Sequence, residues 1–167
     1  MRTTLVVLAA VFALTTAALG AAPPQAGIKS FAELTPPSTP YDESADADAA
    51  VKAAFIRARK SHKRVLIDLG GNWCGDCRIL AGVMDLPDVR RFVDGHYEVV
   101  SVDVGRFDKN LQIPARFGFT KRLLGVPTVL IVSPRGHVVN ANDVFALSDA
   151  RHMTLQAVVD WLAKYAS

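Results

Sequence analysis

Cys74 and Cys77 are the only thiols in the 167-residue chain, and two residues separate them in Trp73-Cys74-Gly75-Asp76-Cys77. Three chemistries are open to such a pair: thiol–disulfide exchange, a metal site, or a purely structural bridge. A zinc site wants four ligands, usually from two such pairs or one pair with spaced histidines. Here no second pair exists, and His62, His96, His137 and His152 are scattered along the chain. A bridge that closes so short a loop removes little entropy from the unfolded chain, so it is a poor staple. Exchange chemistry fits best. It needs one thiol activated and the other within reach of a mixed disulfide.

The flanking residues supply that arrangement. The apolar run Arg64-Val65-Leu66-Ile67-Asp68-Leu69 leads into the pair and reads as a strand, and Arg78-Ile79-Leu80-Ala81-Gly82-Val83-Met84 leads out as a helix. A helix N-terminus offers unpaired N–H groups and partial positive charge, which stabilise a thiolate on Cys74. Cys77 lies one turn further in. The continuous apolarity of the strand implies burial on both faces, as in the centre of a sheet covered by helices. Asp68 is then anomalous, since burial penalises a carboxylate and raises its pKa. It is read as a proton acceptor near the thiols.

The remaining elements follow from periodicity and punctuation. Asp46 to Lys60 is a helix with Ala50, Val51, Ala54, Phe55 and Ala58 on one face. Leu86 to Val93 is a second helical segment that Pro87 begins. Tyr97 to Val102 is a strand, Val104 to Asn110 a polar loop, and Leu111 to Phe117 a short helix. Val129 to Val132 is a strong strand. Ser133-Pro134-Arg135-Gly136 is turn chemistry, with His137 to Asn140 returning as a paired strand. Thr154 to Tyr165 is the last helix. The order implies a single mixed sheet with helices on both faces.

The N-terminal stretch sets compartment. Arg2 followed by the apolar run from Leu5 to Leu14, and then small residues to Ala22, has the form of a cleaved secretory signal. An uncleaved membrane anchor is the alternative. Residues 23–45, rich in Pro, Ala, Ser and Thr, read as a linker or an extended arm tied down by Ile28, Phe31 and Leu34. Residues 46–167 form the folded domain. The expected location is therefore periplasmic or secreted, where thiols oxidise readily. A formal net charge of +3 with interspersed acids excludes a nucleic-acid footprint.

Over roughly Val51 to Tyr165 the chain resembles the thioredoxin-fold family, and among its members the secreted bacterial thioredoxin-like proteins. The resemblance rests on Asp68 in its strand, Trp73-Cys74-Gly75-x-Cys77, Val126-Pro127-Thr128, and the closing hairpin and helix. It implies a thioredoxin-like three-layer sandwich with a central mixed β-sheet flanked by helices. The implied activity is that of a protein disulfide oxidoreductase without a cofactor, working as a monomer on disulfide-containing exported proteins. A membrane-bound thiol reductant is the expected source of electrons.

By matching position, Cys74 resembles the attacking nucleophile, Cys77 the resolving thiol, and Asp68 the acid that moves a proton to or from Cys77. Pro127 resembles the cis-proline that faces the disulfide. Val126 would offer main-chain hydrogen bonds to a substrate, and Trp73 would pack beside the site. Gly75 and Asp76 are the positions that tune the pair.

Three departures from the family pattern stand out. Asp76 replaces the usual proline; ionised and pointing inward, it would raise the thiol pKa values and place the potential near the reducing end. Gly82 stands where a kinking proline is common. Val99 stands where a lysine commonly pairs with the buried acid. A second reading of the thiols is a copper(I) metallochaperone, since soft thiolates suit that ion, although no further ligand is evident.

Overall fold

The computed structural model describes residues 21–166. The leader expected over residues 1–22 lies, but for its last two residues, outside them. Among the described residues, no helix is long and apolar enough to cross a membrane.

Helix α1 (Ala47–Ser61) starts where Asp46 accepts from the Ala49 N–H, and ends at His62 in a left-handed conformation. Its buried face carries Ala47, Val51, Ala54 and Ala58. Strand β1 (Arg64–Gly70) follows and is buried along almost its whole length. Helices α2 (Gly75–Asp85) and α3 (Pro87–His96) then lead to β2 (Tyr97–Asp103), with Pro87 in the first turn of α3 where its missing N–H costs nothing. A single turn, α4 (Gln112–Ala115), precedes β3 (Thr128–Val132), and α5 (Leu155–Lys164) closes the fold, capped by Thr154.

The sheet has strand order β2-β1-β3, with β1 and β2 parallel and β1 and β3 antiparallel. It is the mixed sheet flanked by helices that the sequence implies. Val65, Ile67 and Leu69 pack on one side with α1, while Leu66 packs on the other with Leu80 and Val83 of α2 and Val158, Val159 and Leu162 of α5. Central β1 thus has helices over both faces, and α2 carries the cysteines at its end.

One expectation needs correction. His137 to Asn140 is not a strand: a single bridge joins Val132 to Val138. The reason is that the Asn140 side chain does the work of a ladder. Its Oδ1 accepts from the Ile131 N–H at 2.8 Å and its Nδ2 donates to the Val129 carbonyl at 2.8 Å, so an amide satisfies two groups on the outer edge of β3, while the Ile131 carbonyl accepts from the Val139 N–H at 2.8 Å.

For the N-terminal segment, which the sequence leaves open between a linker and an extended arm, the structure shows a docked arm. Ala26, Leu34 and Tyr41 are buried. The arm's first residues are held to α5 by Gln156, which accepts from the Ala26 N–H at 3.1 Å and donates to the Pro24 carbonyl at 2.9 Å. Further along, a 3₁₀ turn (Phe31–Glu33) with a complete Ser30/Glu33 capping box directs the arm across α2. There Gly82 makes room for it: a Cβ at this position would lie 3.1 Å from both Leu34 Cδ2 and Pro36 Cα.

Candidate active site

Cys74 is the N-cap of α2 and Cys77 sits in its first turn; the two are joined as a disulfide. The Cys77 N–H donates to Cys74 Sγ at 3.1 Å. The helix-start geometry therefore directs a main-chain donor at the sulfur expected to carry negative charge after reduction. Cys77 is wholly buried and Cys74 is 5% exposed, so the outer sulfur is Cys74. The Val126–Pro127 peptide bond is cis, and the Val126 carbonyl oxygen lies 3.3 Å from Cys74 Sγ. The loop before β3 thus meets the start of α2, although 52 residues separate Cys74 and Val126 in sequence.

Trp73 is not a core residue: it is 44% exposed. Its Nε1 donates to the Gly105 carbonyl at 2.8 Å, the Arg106 guanidinium lies 5.0 Å from its ring centroid, and the Phe107 ring meets it edge-on at 6.1 Å. Phe107 adopts a left-handed backbone (φ 69°), which is costly for an aromatic residue and turns the Gly105–Asn110 loop back on Trp73. Leu124, three residues before the cis-proline, is also exposed, at 85%.

Asp68 is buried on β1, opposite Ser101 of β2 and Val129 of β3. Removal from water pushes its pKa up to about 7, while a hydrogen bond from the Tyr41 hydroxyl to Oδ2, at 2.8 Å, pulls the other way. Its Oδ1 is buried without a partner. Asp68 and Gly70 point to the same side of the strand, two residues apart. A Cβ built on Gly70 would collide with the Tyr41 hydroxyl and lie 2.8 Å from Cys77 Sγ. Acid, phenol and inner sulfur are therefore neighbours on the α2 side of β1.

Asp76 does not project a bare charge at the thiols. It is buried and held by Arg151, which lies in a 3₁₀ turn (Ala150–His152) ahead of α5. The Arg151 Nε lies 3.0 Å from each carboxylate oxygen, its Nη2 donates to Oδ2 at 2.6 Å, and its main-chain N–H donates to Oδ1 at 2.9 Å. Burial opposes ionisation, but these Arg151 contacts outweigh it and hold the carboxyl below its ordinary range. Asp76 is ionised, and its charge is compensated. The open side of Gly75 also faces this arginine, with Nη2 3.2 Å from where a Cβ would stand.

Sequence reasoning missed Tyr41, Asn72 and Arg151. Tyr41 had a faint signal, an aromatic at the end of a polar, proline-rich stretch. Arg151 had none, because it meets Asp76 across 75 residues. Val99, in place of the family's lysine, pairs with Leu66 in the β1–β2 register, so no cation reaches Asp68 from that position. Among the described residues, no group of three or more His, Cys, Asp or Glu side chains gathers as a metal site, and the copper(I) reading has two sulfurs and no third ligand.

Residues 46–134 match the family model described as thioredoxin-like, and the chain belongs to that family. It is 30% identical over 79 residues to a thioredoxin from Alicyclobacillus acidocaldarius subsp. acidocaldarius, covering 47% of this chain and 67% of that protein. It is 32% identical over 105 residues to thiol:disulfide interchange protein DsbD 1 of Pseudomonas aeruginosa, covering 60% of this chain but only 17% of that much longer one. Among solved structures it is similar to the disulphide isomerase from Xylella fastidiosa Temecula1, with a TM-score of 0.70, 36% identity, and coverage of 77% of this chain and 97% of that one. A cysteine pair in this setting, on this fold, makes the protein a thiol–disulfide oxidoreductase.

Proposed function

We propose that the protein is an exported disulfide reductase that acts by dithiol–disulfide exchange. The observation that carries this reading is the outer sulfur of Cys74 at the start of α2, receiving the Cys77 N–H and lying against the Val126 carbonyl beside cis-Pro127.

In the reduced protein, the Cys74 thiolate attacks one sulfur of a substrate disulfide. A Cys74–substrate bond forms, and the other substrate sulfur leaves as a thiolate and takes a proton from solvent. Cys77 then gives its proton to Asp68, and the Cys77 thiolate attacks Cys74 Sγ. The Cys74–Cys77 bond forms, the mixed disulfide breaks, and the second substrate thiolate leaves. Two electrons pass from the protein's dithiol to the substrate. A carboxyl that titrates near 7 beside a buried thiol suits this resolving step, because general bases work best with a pKa near the working pH. The similarity to thioredoxins points in the same direction. The substrates are exported proteins with disulfides, bound along the Val126–Pro127 face, and a membrane-bound thiol reductant restores the dithiol.

The test is reduction of insulin disulfides together with the potential measured against glutathione. The expected potential lies toward the reducing end of the range, nearer about −270 mV than about −120 mV; a value at the oxidising end overturns the reductase direction. Cys77→Ser is expected to trap mixed disulfides with exported proteins, and Cys74→Ser to trap none. The mass of the mature protein from fractionated cells tests export, with loss of the segment ending near Ala22 as the expected result.

A further inference from the structure

The arm that precedes α1 reaches the buried acid, and its tip is fixed there from two sides. The Asn72 side chain clamps the Tyr41 main chain, accepting from its N–H at 3.0 Å and donating to its carbonyl at 3.0 Å. Asn72 lies just before Trp73, so the clamp fastens the arm to the cysteine loop. The Tyr41 side chain then runs inward and is 2% exposed. Its hydroxyl meets Asp68 Oδ2, and its oxygen shares with Cys77 Sγ the space that any side chain at Gly70 would fill.

Tyr41 keeps its proton throughout the working range. Burial raises its pKa most, and the negative charges of Asp68 and Asp103 raise it further. It is therefore a donor. Asp68 consequently has one oxygen occupied and one buried oxygen, Oδ1, with no partner. The other ionisable groups around this cluster are few. Cys77 comes from α2, and Asp103 at the end of β2 is itself paired with Lys109 at 2.8 Å. The flanking strands present Ser101 and Val129 opposite Asp68.

We infer that Tyr41 is a positioning residue for thiol exchange: its hydroxyl anchors Asp68 through Oδ2 and leaves Oδ1 as the acceptor for the Cys77 proton. The arm is thereby part of the active site. It occupies the role of partner to the acid for which this chain has no lysine, and Gly82 is what lets the arm cross α2 to get there. The phenol does not ionise. The proton moves from Cys77 Sγ to Asp68 as the Cys74–Cys77 bond forms and returns by the reverse path when that bond is reduced again, while Tyr41 stabilises the carboxylate form that must be present to receive it.

The inference deepens the proposed reduction mechanism, so its test has one arm that needs no turnover. In the oxidised protein, the Asp68 carboxyl is titrated by carbon-13 NMR. Tyr41→Phe removes only the donor and is expected to raise the Asp68 midpoint by about one pH unit. Replacing Tyr41 with 3,5-difluorotyrosine, which keeps the ring and hydroxyl but donates more strongly, is expected to lower it, and serves if the Phe variant does not fold. An Asp68 midpoint unmoved by the replacement overturns the inference.

In the second arm, the rate of release from a Cys74 mixed disulfide is followed against pH. The rising limb is expected to shift upward in Tyr41→Phe and to be absent in Asp68→Asn, with or without Tyr41→Phe. A Tyr41→Phe shift that persists in the Asp68→Asn background overturns the inference, since the phenol would then act elsewhere. If the wild-type protein reduces no disulfide, the proposed function fails, and the carboxyl titration still decides the role of Tyr41.

Discussion

Arg151 grips Asp76 with its guanidinium and its own main-chain N–H, two residues away from Cys74 and one from Cys77. An acid inside the first turn of α2, next to Cys77, would by itself oppose a thiolate at the helix start. The arginine cancels most of that effect. The ion pair therefore sets how much of Asp76's charge the thiols experience.

Arg151→Gln leaves Asp76 uncompensated beside the thiolate of the reduced form. Destabilising that form favours the disulfide, so the potential is expected to become more negative by about 20 mV, equivalent to roughly 1 kcal/mol for a two-electron couple. Adding Asp76→Asn to this variant is expected to return the potential toward the wild-type value. Equilibration with glutathione at several ratios measures both. A potential unchanged in Arg151→Gln would mean that the pair is only a tether between α2 and the 3₁₀ turn ahead of α5.

Asp68 links folding to pH. Its folded pKa of about 7 lies above the 3.8 of an aspartic acid in water. The folded state therefore binds more protons than the unfolded state between these values, and stability is lost as pH rises through the folded pKa. The contribution is fully present below pH ~4 and gone above pH ~8. Asp68→Asn removes the cost of holding a buried charge, and is expected to gain stability over the wild type as pH rises, by up to roughly 4 kcal/mol above pH 8. Denaturant unfolding of the oxidised protein from pH 4 to 8 measures this. A difference that stays flat with pH would show that Asp68 does not titrate in the fold.

The parts of this site that were legible in the sequence are the local ones. Cys74, Gly75 and Cys77 occupy one helix start, so their spacing conveys their geometry. Asp68 was conspicuous because an acid interrupts an apolar run. Tyr41 and Arg151 act across 27 and 75 residues; an aromatic closing a proline-rich stretch is a faint mark for the first, and nothing in its own neighbourhood marks the second. The same distance hides the partner of Asp76: its charge is visible in the sequence and Arg151's place beside it is not. The hairpin after β3 was overread for another reason. His137-Val138-Val139-Asn140 has strand-like composition, but Asn140 satisfies two β3 main-chain groups with its side chain, so main-chain pairing of the return segment stops at the single Val132–Val138 bridge.

Gly82 has a role that follows from the docked arm. Leu34 and Pro36 lie against it so closely that a Cβ would already touch both at 3.1 Å, and Pro36 contributes a main-chain carbon that cannot rotate away. Gly82→Leu is expected to lever the arm off α2, at a cost of about 1–3 kcal/mol in stability despite the better helix propensity of leucine. Limited proteolysis is expected to cut the variant ahead of Asp46 faster than the wild type. Because Tyr41 ends the same arm, the Asp68 midpoint should rise in this variant as well. An arm that remains protected in Gly82→Leu would show that its anchoring lies at Gln156 and Asn72 alone.

Asn140 offers a stringent check on how β3, and with it Pro127, is held. Asn140→Ala leaves the buried Ile131 N–H and Val129 carbonyl without partners, which is expected to cost about 2–4 kcal/mol. Asn140→Asp separates the two bonds. Ionised, it still accepts from Ile131 but sets a carboxylate against the Val129 carbonyl, so it is expected to be nearly as unstable as the alanine variant at neutral pH. Protonated, it regains a donor. Burial and the facing carbonyl raise the introduced acid's pKa, so the folded state binds the extra proton and the deficit shrinks as pH falls. Unfolding of the two variants at pH 4 and pH 7 reads the difference directly. Equal losses for both variants at both pH values would mean that the amide's two hydrogen bonds do not hold the edge of β3.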